Sequence, residues 1–218
     1  MTDERLTDYL RSLERTQDPV IEEILAEAQR GRIPVIRPET AALLKVLIRL
    51  HRPMRLLEVG AAVGYSAILM AGCMPADGHL TTIENYEKRI PLARENIRKA
   101  CMEEKITLLE GDAMDILPGL EPGYDMVFMD AAKAQYINFL PHVTRLLKTG
   151  GLLVSDNVLQ EGDIIESRFA VTRRNRTIYK RMREYLWELK HSETYETSVL
   201  TVGDGVTLSV KLKDEKEG

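Results

Sequence analysis

The arrangement of hydrophobic and polar positions changes near residue 55. Before it, apolar side chains recur at helical spacing over residues 3–15, over a segment from Pro19 to Gly31, and over a segment that begins at Pro38. After it, short apolar runs alternate with helical segments. The pattern predicts one chain-long domain, in which a helical extension over residues 1–50 precedes an α/β core over residues 51–218.

The short apolar runs are the predicted strands of a sheet, and they cover residues 56–59, 80–83, 106–109, 126–129 and 152–154. Runs of this kind between helices are typical of a parallel sheet that is covered by helices on both faces. Two later runs, over residues 197–202 and 206–212, flank Gly203-Asp204-Gly205 and predict a hairpin. We therefore expect a Rossmann-like, mostly parallel seven-stranded sheet that ends in an antiparallel hairpin.

The segment Glu58-Val59-Gly60-Ala61-Ala62-Val63-Gly64 joins the first predicted strand to a helix. Gly60 suits a tight turn that a ligand approaches closely, and the helix would direct free N–H groups at that ligand. The segment lacks the middle glycine of the dinucleotide fingerprint, and Glu58 would repel a diphosphate but attract an ammonium group. These features favour S-adenosylmethionine and leave a nicotinamide dinucleotide as a remote alternative.

Acidic residues follow the predicted parallel strands, at the edge where such sheets bind ligands. They are Glu58, Glu84, Asp112, Asp130 and Asp156. Glu84 lies 20 residues past Gly64, where it could hold both ribose hydroxyls of a cofactor. Helix capping explains any one of these acids, but clustered carboxylates repel each other unless a cation lies among them.

The last two of these strand ends carry a predicted metal site. Asp130, Asp156 and Asn157 supply only oxygen ligands, which suit a hard divalent cation such as Mg²⁺ rather than zinc. Lys133 follows Asp130 by three residues and would lie one helical turn from it, where a neighbouring cation would favour a neutral amine that acts as a base. A solvated surface lysine is the alternative.

Composition narrows the class of protein. The 218 residues carry a formal net charge of −4, so the chain as a whole is not an electrostatic binder of nucleic acid. Two cysteines are too few for a disulfide framework, and the four histidines lack zinc-site spacing. The sequence shows no signal-like or membrane-spanning segment, so we expect a cytoplasmic protein.

Residues 168–183 are a local exception to the acidic balance, because they contain seven Lys and Arg and no acid. Such a cluster suits phosphate contacts, and Tyr179, Tyr185 and Trp187 could stack on unpaired bases. The predicted RNA contacts are Arg173, Arg174, Arg176 and Lys180. A solvated helix face with its aromatic side chains in the core explains the same pattern.

The motifs E-V-G-x-x-x-G-Y-S, D-A-A-K and D-N occur together in residues 34–157, and Val202-Gly203-Asp204-Gly205 follows them. In this combination the chain resembles the metal-dependent class I O-methyltransferases, which include catechol and caffeoyl-CoA O-methyltransferases. Within that group it is most similar to the bacterial tRNA 5-hydroxyuridine methyltransferases. The resemblance also suggests a homodimer.

The resemblance implies roles for individual residues. Asp130, Asp156 and Asn157 would hold Mg²⁺, and Lys133 would be the catalytic base beside Asp130. The S-adenosylmethionine site would be formed by Ile36, Gly60, Ser66, Glu84, Asp112, Ala113 and Asp130. Ile36 replaces the methionine that is common at its place, so we expect a backbone contact there instead of a sulfur contact.

We therefore predict that the chain transfers the methyl group of S-adenosylmethionine to the 5-hydroxyl of 5-hydroxyuridine at the tRNA wobble position. The metal would orient the acceptor hydroxyl, and alignment would supply most of the catalytic effect. The basic segment is the reason for preferring tRNA. A catechol-type methyltransferase that acts on small molecules and a non-catalytic protein that binds S-adenosylmethionine are the alternatives.

Overall fold

A computed structural model describes residues 4–14, 18–165 and 176–214. The helices are α1 (Glu4–Ser12), α2 (Pro19–Arg30), α3 (Pro38–His51), α4 (Tyr65–Cys73), α5 (Ile90–Lys99), α6 (Ala113–Ile116), α7 (Tyr136–Leu146) and α8 (Arg176–His191). The strands are β1 (Arg55–Val59), β2 (His79–Glu84), β3 (Ile106–Glu110), β4 (Tyr124–Met129), β5 (Leu147–Ser155), β6 (Tyr195–Leu200) and β7 (Val206–Lys211). Short 3₁₀ helices lie at Leu117–Gly119, Lys133–Gln135 and Gln160–Ile165.

The strands form one seven-stranded sheet in the order β3-β2-β1-β4-β5-β7-β6. β7 is antiparallel to both of its neighbours, and the other pairs are parallel. The predicted fold is therefore confirmed, although the hairpin does not simply extend the sheet: β7 inserts beside β5, and β6 forms the edge. The strand order reverses between β1 and β4, and such a switch point is where open α/β sheets bind ligands.

Hydrophobic side chains on both faces of the sheet explain why its central strands are apolar at consecutive positions. In β1, Leu56 packs into a core that contains α3 and α4, whereas Leu57 packs into a core that contains α7 and α8. In β4, Phe128 packs into the first of these cores and Val127 into the second. This arrangement is typical of a parallel sheet between two helical layers, because neither face of a strand meets water.

The N-terminal helices differ in how closely they join this core. α3 begins at Pro38 and buries Leu44 and Ile48 completely, so it packs into the helical layer on one face of the sheet. α1 leaves most of its apolar side chains exposed, and an ion pair of 2.7 Å between Arg11 and Glu39 links it to α3. Within the described ranges, no helix has the length and hydrophobicity needed to cross a membrane.

Candidate functional site

A cavity of about 750 Å³ opens along the carboxyl ends of β1, β2, β3 and β4. Its volume lies in the range of sites that enclose a small-molecule ligand. The structure brings nearly all of the predicted cofactor residues into its wall: Ile36, Gly60, Ser66, Glu84, Asp112, Ala113 and Asp130. The predicted metal ligands Asp156 and Asn157 and the predicted base Lys133 line the same cavity.

The turn after β1 brings the chain close to the end of β4. Gly60 has a φ of +105°, and a Cβ at this position would overlap the carbonyl oxygen of Asp130. Glycine is therefore required by the neighbouring backbone, in addition to any requirement from a ligand. Gly64, with a φ of +82°, then begins α4, so the first turn of this helix points toward the cavity.

Glu58 is the one predicted cofactor residue that does not line the cavity. Its side chain is fully buried behind the wall, and Oε2 accepts a hydrogen bond of 2.5 Å from the hydroxyl of Thr82. Burial raises the pKa of Glu58 to about 7. The side chain of Glu58 lies on the same face of β1 as that of Leu56, and its contact with the cofactor ammonium stays a prediction.

Glu84 at the end of β2 is fixed toward the cavity by three backbone N–H groups. Ala62 donates to Oε2 at 2.7 Å, and Asn85 and Tyr86 donate to Oε1 at 3.1 and 2.8 Å. These bonds use about three of the roughly four lone-pair positions of the carboxylate, and the remaining position on Oε2 is available to a ribose hydroxyl. Asp112 caps α6 by accepting a hydrogen bond from the backbone of Met114, so the capping explanation holds for that acid.

The predicted metal ligands lie next to one another at the ends of β4 and β5. Nδ2 of Asn157 donates to Oδ1 of Asp130 at 2.9 Å. Oδ1 of Asp156 accepts from the backbone N–H of Asn157 at 2.8 Å and lies 3.4 Å from the hydroxyl of Thr40, in the first turn of α3. Asn157 takes a left-handed backbone conformation with a φ of +61°, which turns its side chain back toward Asp130.

The electrostatics of this cluster match a cation site. Burial, with a contribution from the charge of Asp130, raises the pKa of Asp156 to about 7. Burial also raises the pKa of Asp130, although the hydrogen bond from Asn157 and the charge of Lys133 oppose this rise. A bound cation would remove the repulsion between the two carboxylates. In the described part of the chain, no three His, Cys, Asp or Glu side chains are grouped for metal binding, so the site depends on the amide of Asn157.

Lys133 lies in the 3₁₀ turn that precedes α7, so the regular helix starts later than the position of this residue. Its Nζ is 3.3 Å from Oδ2 of Asp204, in the turn between β6 and β7. Tyr136 follows at the start of α7, and its hydroxyl lies 3.1 Å from the carbonyl oxygens of both Met129 and Asp156. This buried hydroxyl joins the two strand ends that carry the predicted metal ligands.

Several residues of the site escaped the sequence analysis. Arg37, Tyr86 and Arg89 line the cavity, and Arg89 lies over the ring of Tyr86 at 5.2 Å. Their proximity to Ile36 and Glu84 in the sequence was the available signal. The contact of Thr40 with Asp156 spans 116 positions, and no local pattern indicates it.

The basic segment is only partly within the described residues, since Arg173 and Arg174 lie outside them. Arg176 and Lys180 are exposed on α8, and Lys180 lies 3.5 Å from Glu184. Tyr179 and Tyr185 are buried, so the alternative prediction, that the aromatic side chains of this segment belong to the core, holds for these two. Trp187 is 61% exposed and stacks on His191. Two further cations, Arg181 and Arg183, donate to the carbonyl groups of Ala134 and Ile164.

Comparison with known proteins agrees with this geometry. The sequence profile of the O-methyltransferase family matches residues 13–212. Caffeoyl-CoA O-methyltransferase 2 of Populus trichocarpa is 34% identical over 184 residues, which cover 78% of this chain and 72% of that protein. Catechol O-methyltransferase of Niastella koreensis is 37% identical over 146 residues, which cover 65% of this chain and 66% of that protein.

A solved structure supports the same assignment. The O-methyltransferase TomG of Streptomyces achromogenes, which is involved in tomaymycin synthesis, was solved in complex with S-adenosylmethionine. It is 27% identical, with a TM-score of 0.85 over 98% of this chain and 100% of that chain. The predicted enzyme class and S-adenosylmethionine as the predicted cofactor are confirmed. The chain thus belongs to the family of S-adenosylmethionine-dependent O-methyltransferases.

Proposed function

We propose that the chain methylates one hydroxyl of a small catechol-type acceptor, such as a caffeoyl group, in a reaction that requires Mg²⁺ or another hard divalent cation. The observation that carries this proposal is the meeting of three oxygen-bearing side chains, Asp130, Asp156 and Asn157, in the cavity that holds the predicted cofactor residues. Two adjacent acceptor oxygens match such a site, because they can approach the same cation together.

The residues that line the cavity would have different roles in this reaction. The turn at Gly60 and the carboxylate of Glu84 would hold the cofactor, and Asp130, Asp156 and Asn157 would hold the metal. The metal would supply charge stabilisation for the acceptor oxygen. Lys133 would accept the proton from the acceptor hydroxyl, because it lines the cavity, three residues from Asp130. Alignment of the acceptor oxygen with the methyl group would supply most of the remaining rate enhancement.

The small-molecule acceptor is preferred over the tRNA acceptor predicted from the sequence. The relatives described above are named for catechol and caffeoyl-CoA, and the tRNA prediction depended on the basic segment. Two cations of that segment, Arg181 and Arg183, donate to backbone carbonyl groups within the chain. Methylation of 5-hydroxyuridine in tRNA stays the second candidate, because Arg176 and Lys180 are exposed.

In the test, purified protein is incubated with labelled S-adenosylmethionine and one acceptor, with and without a chelator. The acceptors are a catechol, caffeoyl-CoA and tRNA that carries 5-hydroxyuridine. We expect label transfer to the catechol-type acceptors only, with loss of transfer in the chelator. The paired charge reversals Arg176→Glu and Lys180→Glu should leave this turnover unchanged. Transfer to tRNA alone, abolished by the same reversals, would refute the small-molecule proposal and support the second candidate.

The proposal extends to a homodimer in the cytoplasm. Tyr9, Leu13, Val46 and Leu50 on and beside α1 and α3 are exposed apolar side chains. A second copy of the chain would remove such a surface from water, and two-fold pairs are the commonest protein assemblies. Light scattering coupled to size exclusion would give twice the monomer mass if this is right, and 24.8 kDa if it is wrong.

A further inference from the structure

The turn between β6 and β7 lies behind the cavity wall, where Asp204 contacts the lining residue Lys133, although the turn belongs to the last strand pair. Because β7 runs antiparallel to β5, its first residues are at the carboxyl ends of the parallel strands. Two backbone hydrogen bonds of 3.0 Å attach the turn to the segment that follows the predicted metal ligands: Val158 donates to the carbonyl of Gly205, and Leu159 donates to the carbonyl of Asp204.

Close packing fixes the position of this turn. Gly203 has a φ of +57°, and a Cβ there would lie 2.8 Å from the hydroxyl oxygen of Thr40. Gly205 has a φ of +88°, and a Cβ there would overlap the side chain of Leu159. The turn therefore presses against both the first turn of α3 and the loop after β5, with no room for larger residues. Asp204 lies between the two glycines, so the close packing at Gly203 and Gly205 fixes the position of its backbone.

The carboxylate of Asp204 points at Lys133. Oδ2 is 3.3 Å from Nζ, and the Asp204 side chain is 6% exposed whereas that of Lys133 is 32% exposed. A third buried acid near Asp130 and Asp156 adds repulsion to the site unless it serves a cation of its own. Lys133 is that cation, and the ion pair joins the 3₁₀ turn before α7 to the turn between β6 and β7.

We propose that Asp204 is a positioning residue that directs Lys133 at the acceptor oxygen and balances the ammonium that forms there. This inference rests on the proposed function, in which Lys133 accepts the proton of the acceptor hydroxyl. The proton moves from the hydroxyl to Nζ. The oxygen forms a bond to the methyl carbon, and the carbon–sulfur bond breaks to leave S-adenosylhomocysteine. A base that is oriented by a buried acid is a recurring arrangement in catalysis.

The test is a double-mutant cycle with Asp204→Asn, Lys133→Met and the double variant, each saturated with cofactor and Mg²⁺ and assayed with a catechol. We expect Asp204→Asn to lower kcat about 10- to 100-fold, since positioned proton transfer contributes about 100-fold or more. The KM for S-adenosylmethionine should stay within about twofold, because Asp204 does not line the cofactor wall. The double variant should be no slower than Lys133→Met.

Two further variants separate positioning from damage to the fold. Asp204→Glu should recover part of kcat, and Thr201→Ala, an exposed change in the same turn, should match the wild type. If Asp204→Asn slows the Lys133→Met background as much as it slows the wild type, Asp204 does not act through Lys133, and the proposal is wrong.

The ion pair between Lys133 and Asp204 can also be tested without measuring methyl transfer. Acetylation of Lys133 by an amine-reactive ester, followed by mass spectrometry, should be several-fold faster in Asp204→Asn than in the wild type, because the contact with the carboxylate shields Nζ from the reagent. An unchanged rate would refute the pairing itself. If the wild type methylates no catechol, the proposed function fails, and the acetylation rates still decide whether Asp204 holds Lys133.

Discussion

The side-chain amide of Asn157 donates a hydrogen bond to the carboxylate of Asp130 over 2.9 Å, which joins the end of β5 to the end of β4. A metal ion binds an amide through its oxygen. Binding of the proposed cation would therefore require the Asn157 amide to rotate so that its oxygen faces Asp130 and Asp156. The three side chains already lie next to one another, so this one rotation would separate the hydrogen-bonded form from the proposed metal-binding form.

Replacement of Asn157 should weaken the metal site without affecting the cofactor site. We expect Asn157→Ala to lower the affinity for Mn²⁺ at least about tenfold, which corresponds to about 1.4 kcal/mol. Titration calorimetry would measure this and should find the affinity for S-adenosylmethionine unchanged. Asn138→Ala removes an exposed amide from α7 and is the matched control. Equal Mn²⁺ affinity in both variants would contradict the assignment of Asn157.

The protonation of Asp156 predicts how stability depends on pH when metal is absent. The pKa of Asp156 is about 7 in the folded protein and 3.8 without burial, so the folded state binds more protons between about pH 4 and pH 7. Its contribution to stability is full below about pH 4 and is lost as the pH rises through 7. Asp156→Asn should therefore gain about 2–4 kcal/mol relative to the wild type over this range.

Denaturant unfolding of both proteins in a chelator, at several pH values, measures this difference. A difference that stays constant from pH 4 to pH 8 would show that Asp156 is charged in the folded protein throughout. Addition of Mg²⁺ at pH 8 should stabilise the wild type and not the variant, because ligand binding to the folded state raises its stability.

The close approach at Gly60 predicts a severe effect of the smallest possible side chain. Gly60→Ala places a methyl group on the carbonyl of Asp130 at a φ of +105°, and should lower the free energy of unfolding by at least about 2 kcal/mol. Gly72→Ala is the control, since the nearest atom to its added Cβ is 3.7 Å away and α4 continues through it. That change should be neutral or stabilising by up to about 1 kcal/mol in urea denaturation. Similar losses in both variants would contradict this account.

The hydroxyl of Tyr136 predicts a link between stability and metal binding. Tyr136→Phe removes the donor that reaches the carbonyls of Met129 and Asp156, and should cost about 1 kcal/mol in urea denaturation. It should also lower the Mn²⁺ affinity, because the ends of β4 and β5 are then no longer joined by this hydroxyl. Tyr124→Phe, whose hydroxyl is 3.5 Å from that of Thr81, should change Mn²⁺ affinity little. A metal affinity that is insensitive to Tyr136→Phe would show that the hydroxyl has no influence on the site.

The strand ends could be predicted from the sequence because two local rules suffice for them. Apolar runs locate β4 and β5, and the carboxyl ends of parallel strands share one edge, so Asp130 and Asp156 had to meet. Helical periodicity likewise explains the buried side of α8, where Tyr179, Met182 and Tyr185 recur every third residue. These features depend only on near neighbours in the chain.

The remaining features could not be predicted, because they arise from contacts between distant segments. The contact of Lys133 with Asp204 spans 71 positions, and nothing in either segment indicates the other. The burial of Glu58 depends on distant segments in the same way, because its partner Thr82 lies on β2, 24 positions along the chain.

The insertion of β7 beside β5 has a consequence for synthesis of the protein on the ribosome. Translation proceeds from the N-terminus, so β1 to β5 emerge while the outer edge of β5 still has unpaired N–H and C=O groups. That edge is covered only after Val206–Lys211 has been translated, and the same step delivers Asp204 to Lys133. A nascent chain that stalls before this point would expose the unpaired edge of β5 and would lack the ion pair between Lys133 and Asp204, so we expect truncated chains to aggregate more readily than the full chain.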